Sequence, residues 1–200
     1  VGGTPKRIAI YGGAFDPFHN GHLATIVRLL ESGRVDSVIV VPCSDRPDKS
    51  GTLGAEHRLA MARLGVDSRF AGDNRVEVSD AQVARRAGFA TIDLLSYFKK
   101  ELPIADLFVV IGEELVRDLP SWKDPERLKQ EAHFLVLRRP GSEAVCSGAG
   151  WQLTQLTAPY PGEVEISSTE LRELLRSGSA GQDFLPRAVR DYIIANGLYR

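Results

Sequence analysis

Two histidines three residues apart, His19 and His22, bracket Gly21 in the string Gly12-Gly13-Ala14-Phe15-Asp16-Pro17-Phe18-His19-Asn20-Gly21-His22. The string follows a short apolar run, Ile8–Tyr11, that reads as a buried strand closed by the glycine pair. Glycines at a strand end let backbone N–H groups come close to a ligand. A loop at the carboxyl end of a parallel strand is where such sheets bind ligands. A helix is expected over Gly21–Leu30, with Leu23, Ile26, Val27 and Leu30 at helical spacing. Both imidazoles then fall at or before its first turn, whose unpaired N–H groups and dipole attract anions. Imidazoles donating hydrogen bonds to a phosphate in a dry cleft would stabilise charge there. The plainer reading makes the glycines a tight turn and the histidines surface or capping residues. The string is neither the dinucleotide fingerprint G-x-G-x-x-G nor a P-loop, because Gly-Lys-Ser/Thr is absent.

A second constellation lies near the other end, in Ile166-Ser167-Ser168-Thr169-Glu170-Leu171-Arg172. Ser167 and Glu170 have capping-box spacing, so a good helix start is one complete reading. The other is a second anion site, in which backbone N–H groups, the hydroxyls of Ser168 and Thr169 and the Arg172 guanidinium converge. Two helix beginnings facing one cleft would hold a triphosphate.

The elements that must position these groups alternate. Strands are expected at Val38–Pro42, Arg75–Val78, Leu107–Gly112 and Phe134–Leu137, and helices at Ala55–Val66, Thr91–Lys100 and Pro125–Glu131. Thr91 is the expected N-cap of its helix. Two further helices are expected at Ser168–Ser177 and Pro186–Asn196, the latter with Gly197 as its C-cap. Residues 140–161, rich in Gly, Ser and Pro, read as loop with one or two short strands. The pattern predicts an α/β fold: a doubly wound, mostly parallel sheet with helices on both faces and two helices at the C-terminal end.

The 200 residues suit a single domain over 1–200, with residues 1–6 as a flexible tail. A hydrophobic content of 43% excludes a disordered chain, and no apolar run reaches the roughly 18–20 residues of a membrane span. A formal net charge of −1 argues against general nucleic-acid binding, which neutralises many phosphates. Two cysteines, Cys43 and Cys146, make neither a disulfide framework nor a zinc site, so a reducing cytosol is the expected compartment. No metal-ligating cluster is expected. The sequence leaves the oligomeric state open.

The paired motifs G-G-x-F-D-P-x-H-x-G-H and I-S-S-T-x-x-R resemble the signature of the nucleotidylyltransferase superfamily. The rest is similar to bacterial nicotinate-nucleotide adenylyltransferases. The likeness includes Ala55-Glu56-His57-Arg58-Leu59-Ala60-Met61, Leu119-Pro120-Ser121-Trp122, Arg138-Arg139-Pro140-Gly141 and the stretch from Leu185 to Tyr199. The resemblance implies a Rossmann-like fold and transfer of the adenylyl group of ATP to nicotinate mononucleotide, with pyrophosphate released. Magnesium would travel with the ATP phosphates, with no dedicated protein cage.

By position, the resemblance places His22 and His19 on the ATP phosphates, with Lys49 and Arg172 neutralising them. It puts Gly13, Ala14, Phe15, Gly112, Ser168 and Thr169 around ATP, and Thr91, Trp122, Glu114 and Arg139 around the mononucleotide. Trp122 would stack on the pyridine ring, and Thr91 would lie near its carboxylate. Each has a structural alternative: a solvated loop lysine for Lys49, a core or rim aromatic for Trp122, an N-cap alone for Thr91. Asp16 reads as a hydrogen-bonding loop residue, His57 and His133 as structural or surface residues, and Arg85-Arg86 and Lys99-Lys100 as solvated faces. The chain departs from the family at Asp48 before Lys49, at Glu113-Glu114 after Ile111-Gly112, and at Phe89-Ala90 before Thr91. The last two bear on the acceptor, so nicotinamide mononucleotide is an alternative substrate. A non-catalytic nucleotide-binding regulator is the alternative of another class.

Overall fold

The computed structural model describes residues 4–45, 52–85, 88–138, 150–156, 166–178 and 180–200. Six strands form one sheet in the order β3-β2-β1-β4-β5-β6. They are β1 (Arg7–Gly13), β2 (Ser37–Pro42), β3 (Val76–Val78), β4 (Asp106–Gly112), β5 (His133–Leu137) and β6 (Gln152–Leu156). All five pairings are parallel. Among the described residues the α-helices are α1 (Asn20–Glu31), α2 (Ala55–Phe70), α3 (Thr91–Glu101), α4 (Pro125–Glu131), α5 (Ser168–Arg176) and α6 (Arg187–Ala195).

Successive strand residues point to opposite faces, so each buried strand feeds two cores. Ala9, Val38, Val40, Val110 and Leu135 pack with Leu23, Ile26 and Leu29 of α1, Met61 and Val66 of α2, Leu171 of α5, and Val189 and Ile193 of α6. Ile10, Ile39, Val41, Ile111, Phe134 and Val136 pack with Ile92, Leu95 and Phe98 of α3 and Leu128 of α4. The strand order reverses between β1 and β4. Loops leaving these two neighbours diverge to opposite faces and open a crevice at their carboxyl ends.

The glycine pair is not a turn after the first strand. Gly12 and Gly13 continue β1 and pair in register with Val41 and Pro42, because the neighbouring strand extends alongside them. A 3₁₀ segment occupies Glu113–Ser121, between β4 and α4. Thr91 is not an N-cap: Ala90 holds that position, and the Asp93 carboxylate accepts the Ala90 N–H at 2.9 Å. The Asp93 carboxylate serves the N–H of the cap residue itself, not the first-turn N–H groups that a capping hydroxyl would accept. Asn196 is the C-cap of α6, and Gly197, with φ +61°, follows it. Arg85 is not a solvated residue, because its guanidinium lies 4.1 Å over the Tyr97 ring and 5.1 Å from the Phe89 ring centre. Lys99 bridges to Glu131 at 3.0 Å. Lys6, in the expected tail, accepts the Asp106 N–H at its carbonyl.

Close helix packing holds the histidine loop down. A Cβ on Gly65 of α2 would lie 2.2 Å from Phe18 Cδ1, with Phe18 fully buried. Gly65→Ala is therefore expected to displace Phe18 and to destabilise the protein by about 1–3 kcal/mol, as overpacked cores do. Urea unfolding at equilibrium measures the difference.

Candidate active site

The first turn of α1 is capped by its own histidines. His19 is the N-cap residue, and its Nδ1 accepts the Gly21 N–H at 3.2 Å. Three residues on, His22 Nδ1 accepts the His19 N–H at 3.1 Å. This reciprocal pattern is a capping box made of imidazoles. The rings lie 3.7 Å apart, centre to centre. Because each Nδ1 accepts, each neutral ring carries its proton on Nε2. Both rings line one cavity, so the pair presents two N–H donors without formal charge.

The surroundings keep the rings neutral. Phe15 and Phe18 enclose His22, with ring centres at 4.9 and 5.1 Å. Burial lowers the His19 pKa from 6.5 to about 4. Burial, and then the neighbouring His19, carries His22 well below its ordinary value.

The start of α5 is fastened to the same loop. The Ser168 hydroxyl donates to the Pro17 carbonyl at 3.3 Å. Arg172 donates to the Asp16 carbonyl at 2.8 Å and to Thr169 Oγ1 at 3.2 Å. Ser167 Oγ accepts the Glu170 N–H at 3.1 Å, and the Glu170 carboxylate accepts the Ser167 N–H at 2.8 Å. The expected capping box is present, so part of this helix end is satisfied by its own acid.

A cavity of about 690 Å³ opens between these two helix starts and the ends of β1 and β4. Gly13, Phe15, His19, His22, Gly112, Glu114 and Ser168 all line it. Arg172 and Thr169 are not part of its lining; they lie in the α5 turn bonded to the loop. A Cβ on Gly112 would meet the Glu114 carboxylate at 2.3 Å, so glycine allows that side chain to fold back over the strand end. Among the described residues, no three His, Cys, Asp or Glu side chains come together as a metal cluster.

A second cavity, of about 820 Å³, contains Ala14, Thr91 and Trp122, and it shares Gly13 and Leu115 with the first. Ala90 and Thr91, at the start of α3, form part of its wall. Because Ala90 has no capping side chain, the N–H groups of the first turn of α3 are left for another acceptor. Lys123 fastens the Trp122 segment to this helix by an ion pair to Asp93 at 2.8 Å. Lys49 and Arg139 lie outside the described residues.

Sequence reasoning passed over several residues. Arg58 is fully buried, donating to the carbonyls of Leu53, Ala14 and Ser44 at 2.8, 2.9 and 3.1 Å. It ties the loops after β1 and β2 to α2. Arg28 and Arg138 line the first cavity, where Arg28 donates to the Arg138 carbonyl at 3.2 Å and to the Leu156 carbonyl. A helical face count from Gly21 through Thr25 to Arg28, which share the cavity wall, would have flagged it. Asp16 is a hydrogen-bonding loop residue, as expected. His57 binds the Tyr192 hydroxyl at 2.9 Å and His133 binds Thr154 at 2.8 Å.

Residues 10–174 match the cytidylyltransferase-like family model. A protein of Roseiflexus castenholzii named a probable nicotinate-nucleotide adenylyltransferase is 36% identical over 98% of this chain and 100% of its own length. A Thermus thermophilus protein of the same name is 36% identical over 97% of this chain and all of its own. This chain belongs to the nicotinate-nucleotide adenylyltransferases of the cytidylyltransferase-like family. The structure of the Plasmodium falciparum nicotinic acid mononucleotide adenylyltransferase complexed with NaAD superposes with a TM-score of 0.78 at 25% identity, covering 97% of each chain.

The imidazole caps make stability depend on pH. The unfolded histidines take up protons near pH 6.5, while folded His19 resists until about pH 4. Between these values the unfolded state binds more protons, so stability falls as pH falls through that window and levels off above it. Urea unfolding at several pH values is expected to show this slope. The double substitution His19→Asn and His22→Asn, which keeps side-chain acceptors, is expected to flatten it.

Proposed function

We propose that this protein transfers the adenylyl group of ATP to nicotinate mononucleotide, forming nicotinate adenine dinucleotide and pyrophosphate in the cytosol. The carrying observation is the cavity that joins two neutral imidazole donors to the start of α5, adjoining a second cavity walled by the start of α3 and Trp122. ATP phosphates fit the first and the pyridine nucleotide the second, with Gly13 at their junction.

The reaction is a single displacement. A phosphate oxygen of the mononucleotide attacks the α-phosphorus of ATP, the bond to the bridging oxygen breaks, and pyrophosphate departs with that electron pair. The protein forms no covalent bond, so its work is orientation and charge stabilisation. The His22 and His19 Nε2–H groups donate to the phosphate oxygens on which charge accumulates. Ser168 on the cavity wall, with Thr169 and Arg172 in the same turn of α5, is assigned to the β- and γ-phosphates, and the family resemblance adds Lys49. Phe15, Gly112 and Glu114 shape the ATP cavity, Ala14 lies on the wall of the acceptor cavity, and the family resemblance assigns Arg139 to the acceptor. Magnesium enters bound to the ATP phosphates, as part of the substrate. The imidazole, amide and guanidinium donors of this site suit the phosphates, and the Glu114 and Glu170 carboxylates that also line the cavity offer oxygens of the kind the cation favours.

Acceptor choice follows from α3. Its uncapped first turn offers backbone N–H groups beside Thr91, and a negatively charged pyridine substituent is favoured at a helix start over a neutral amide. Trp122 supplies an aromatic face for the ring.

Pyrophosphate release with ATP and a panel of mononucleotides tests this reading. Nicotinate mononucleotide is expected to be the best acceptor. ATP binding without turnover for every acceptor would instead indicate a nucleotide-binding regulator. His22→Ala is expected to lose turnover by about 10²–10³-fold while remaining folded, the usual cost of one transition-state donor. Trp122→Ala is expected to raise the KM of the acceptor more than that of ATP. Equal effects on both would count against pyridine stacking.

A further inference from the structure

The segment after α6 reaches back under the phosphate loop. Gly197 reverses the chain at φ +61°, and the Leu198 N–H closes on the Ile193 carbonyl at 3.0 Å. Tyr199 then adopts φ +61°, a left-handed conformation that a bulky side chain takes only where its surroundings demand it. Its ring is buried in the core shared by α1, α2, α5 and α6. Its hydroxyl donates to Asp16 Oδ1 at 2.5 Å, across 183 positions of sequence.

Asp16 is 1% exposed and sits three residues before the first capping histidine. Its Oδ2 accepts the Leu53 N–H at 3.3 Å. Arg172 Nη1 is bonded to the Asp16 main-chain carbonyl at 2.8 Å, but it lies 3.7 Å from the carboxylate. The guanidinium is thus anchored by a neutral acceptor and held short of a close ion pair. Burial, reinforced by Asp16, raises the Tyr199 hydroxyl far above its ordinary pKa, so it remains a donor at any physiological pH.

We propose that Tyr199 is a positioning residue for ATP binding: its hydroxyl occupies the Asp16 carboxylate and so keeps Arg172 on the main-chain carbonyl, in the α5 turn beside the phosphate cavity, where its charge serves the nucleotide phosphates. The proposal rests on the reading of Arg172 as a phosphate ligand. Without the hydroxyl, Asp16 Oδ1 is a buried acceptor with no other donor among the described residues, and the Arg172 guanidinium, 3.7 Å from Oδ2 of the same carboxylate, is a donor at hand. A guanidinium drawn into a buried carboxylate has less charge and fewer N–H groups to give a phosphate.

Calorimetric ATP binding and steady-state kinetics test the coupling. Tyr199→Phe is expected to weaken ATP binding about tenfold, the worth of a hydrogen bond to a charged group, and to leave the acceptor KM within about twofold. On an Arg172→Ala background the same substitution is expected to change ATP binding by less than about twofold, as for residues that act through one another. Adding Asp16→Asn, which removes the charge that draws Arg172 away, is expected to restore ATP binding to Tyr199→Phe. Should Tyr199→Phe not fold, Asp16→Asn alone decides: ATP binding near the wild-type level supports the coupling, and a tenfold loss overturns it. A purely structural tyrosine would lower the melting temperature and leave ATP binding unchanged, or raise both KM values alike. Either result, or an undiminished effect on the Arg172→Ala background, overturns the proposal. Absent turnover of nicotinate mononucleotide, with ATP binding still weakened in Tyr199→Phe, would remove the acceptor reading and leave this coupling standing. A wild-type protein that bound no ATP would remove both.

Discussion

Backbone N–H groups at the start of a helix need acceptors, and a serine or aspartate usually supplies them. Here imidazole nitrogens do so at α1. That substitution has a chemical consequence. A ring whose Nδ1 accepts from the backbone must carry its proton on Nε2, so the helix cap also sets the tautomer. The same hydrogen bonds that begin α1 therefore prepare His19 and His22 as donors toward the cavity. Aromatic enclosure of His22 by Phe15 and Phe18, and burial of His19, keep both rings neutral, which preserves the lone pairs the cap needs.

The rest of the molecule serves to hold that turn in place. Phe18 fills the space left by Gly65 on α2. Arg58 gathers the carbonyls that follow β1 and β2, and Ser168 and Arg172 fasten α5 to Pro17 and Asp16. Buried polar networks of this kind hold one geometry when every member is satisfied. The crevice at the reversal of strand order then becomes a walled site rather than an open groove. Because two cavities meet at Gly13 and Leu115, a nucleotide in one can reach a nucleotide in the other without moving across solvent.

Much of this was readable from residue order. Alternating strand and helix patterns required a parallel sheet, since buried parallel strands read as unbroken apolar runs such as Val38–Val41 and Leu107–Ile111. Ser167 with Glu170 announced its helix start. The glycine pair was harder, because a strand extended by its neighbour looks locally like a turn. Thr91 was misread for a related reason: a threonine before an apolar periodicity has the form of a cap, and only the Asp93 carboxylate bonded to the Ala90 N–H shows where the helix begins. Arg85 looked solvated because the Phe89 and Tyr97 rings that it covers come together only in the folded chain.

By itself, the sequence determined the order of strands and helices and the pair of helix starts rich in donors, because periodicity and capping are local and act within a few residues. Tertiary structure alone decided which atoms those donors face. It brought Asp16 to Tyr199 and Arg172, buried Arg58 among carbonyls from three segments, and joined the cavity of the histidines to the cavity of Trp122. Those pairings span up to 183 positions, and nothing in local spacing encodes them. They follow from how two cores fold down on either face of one sheet.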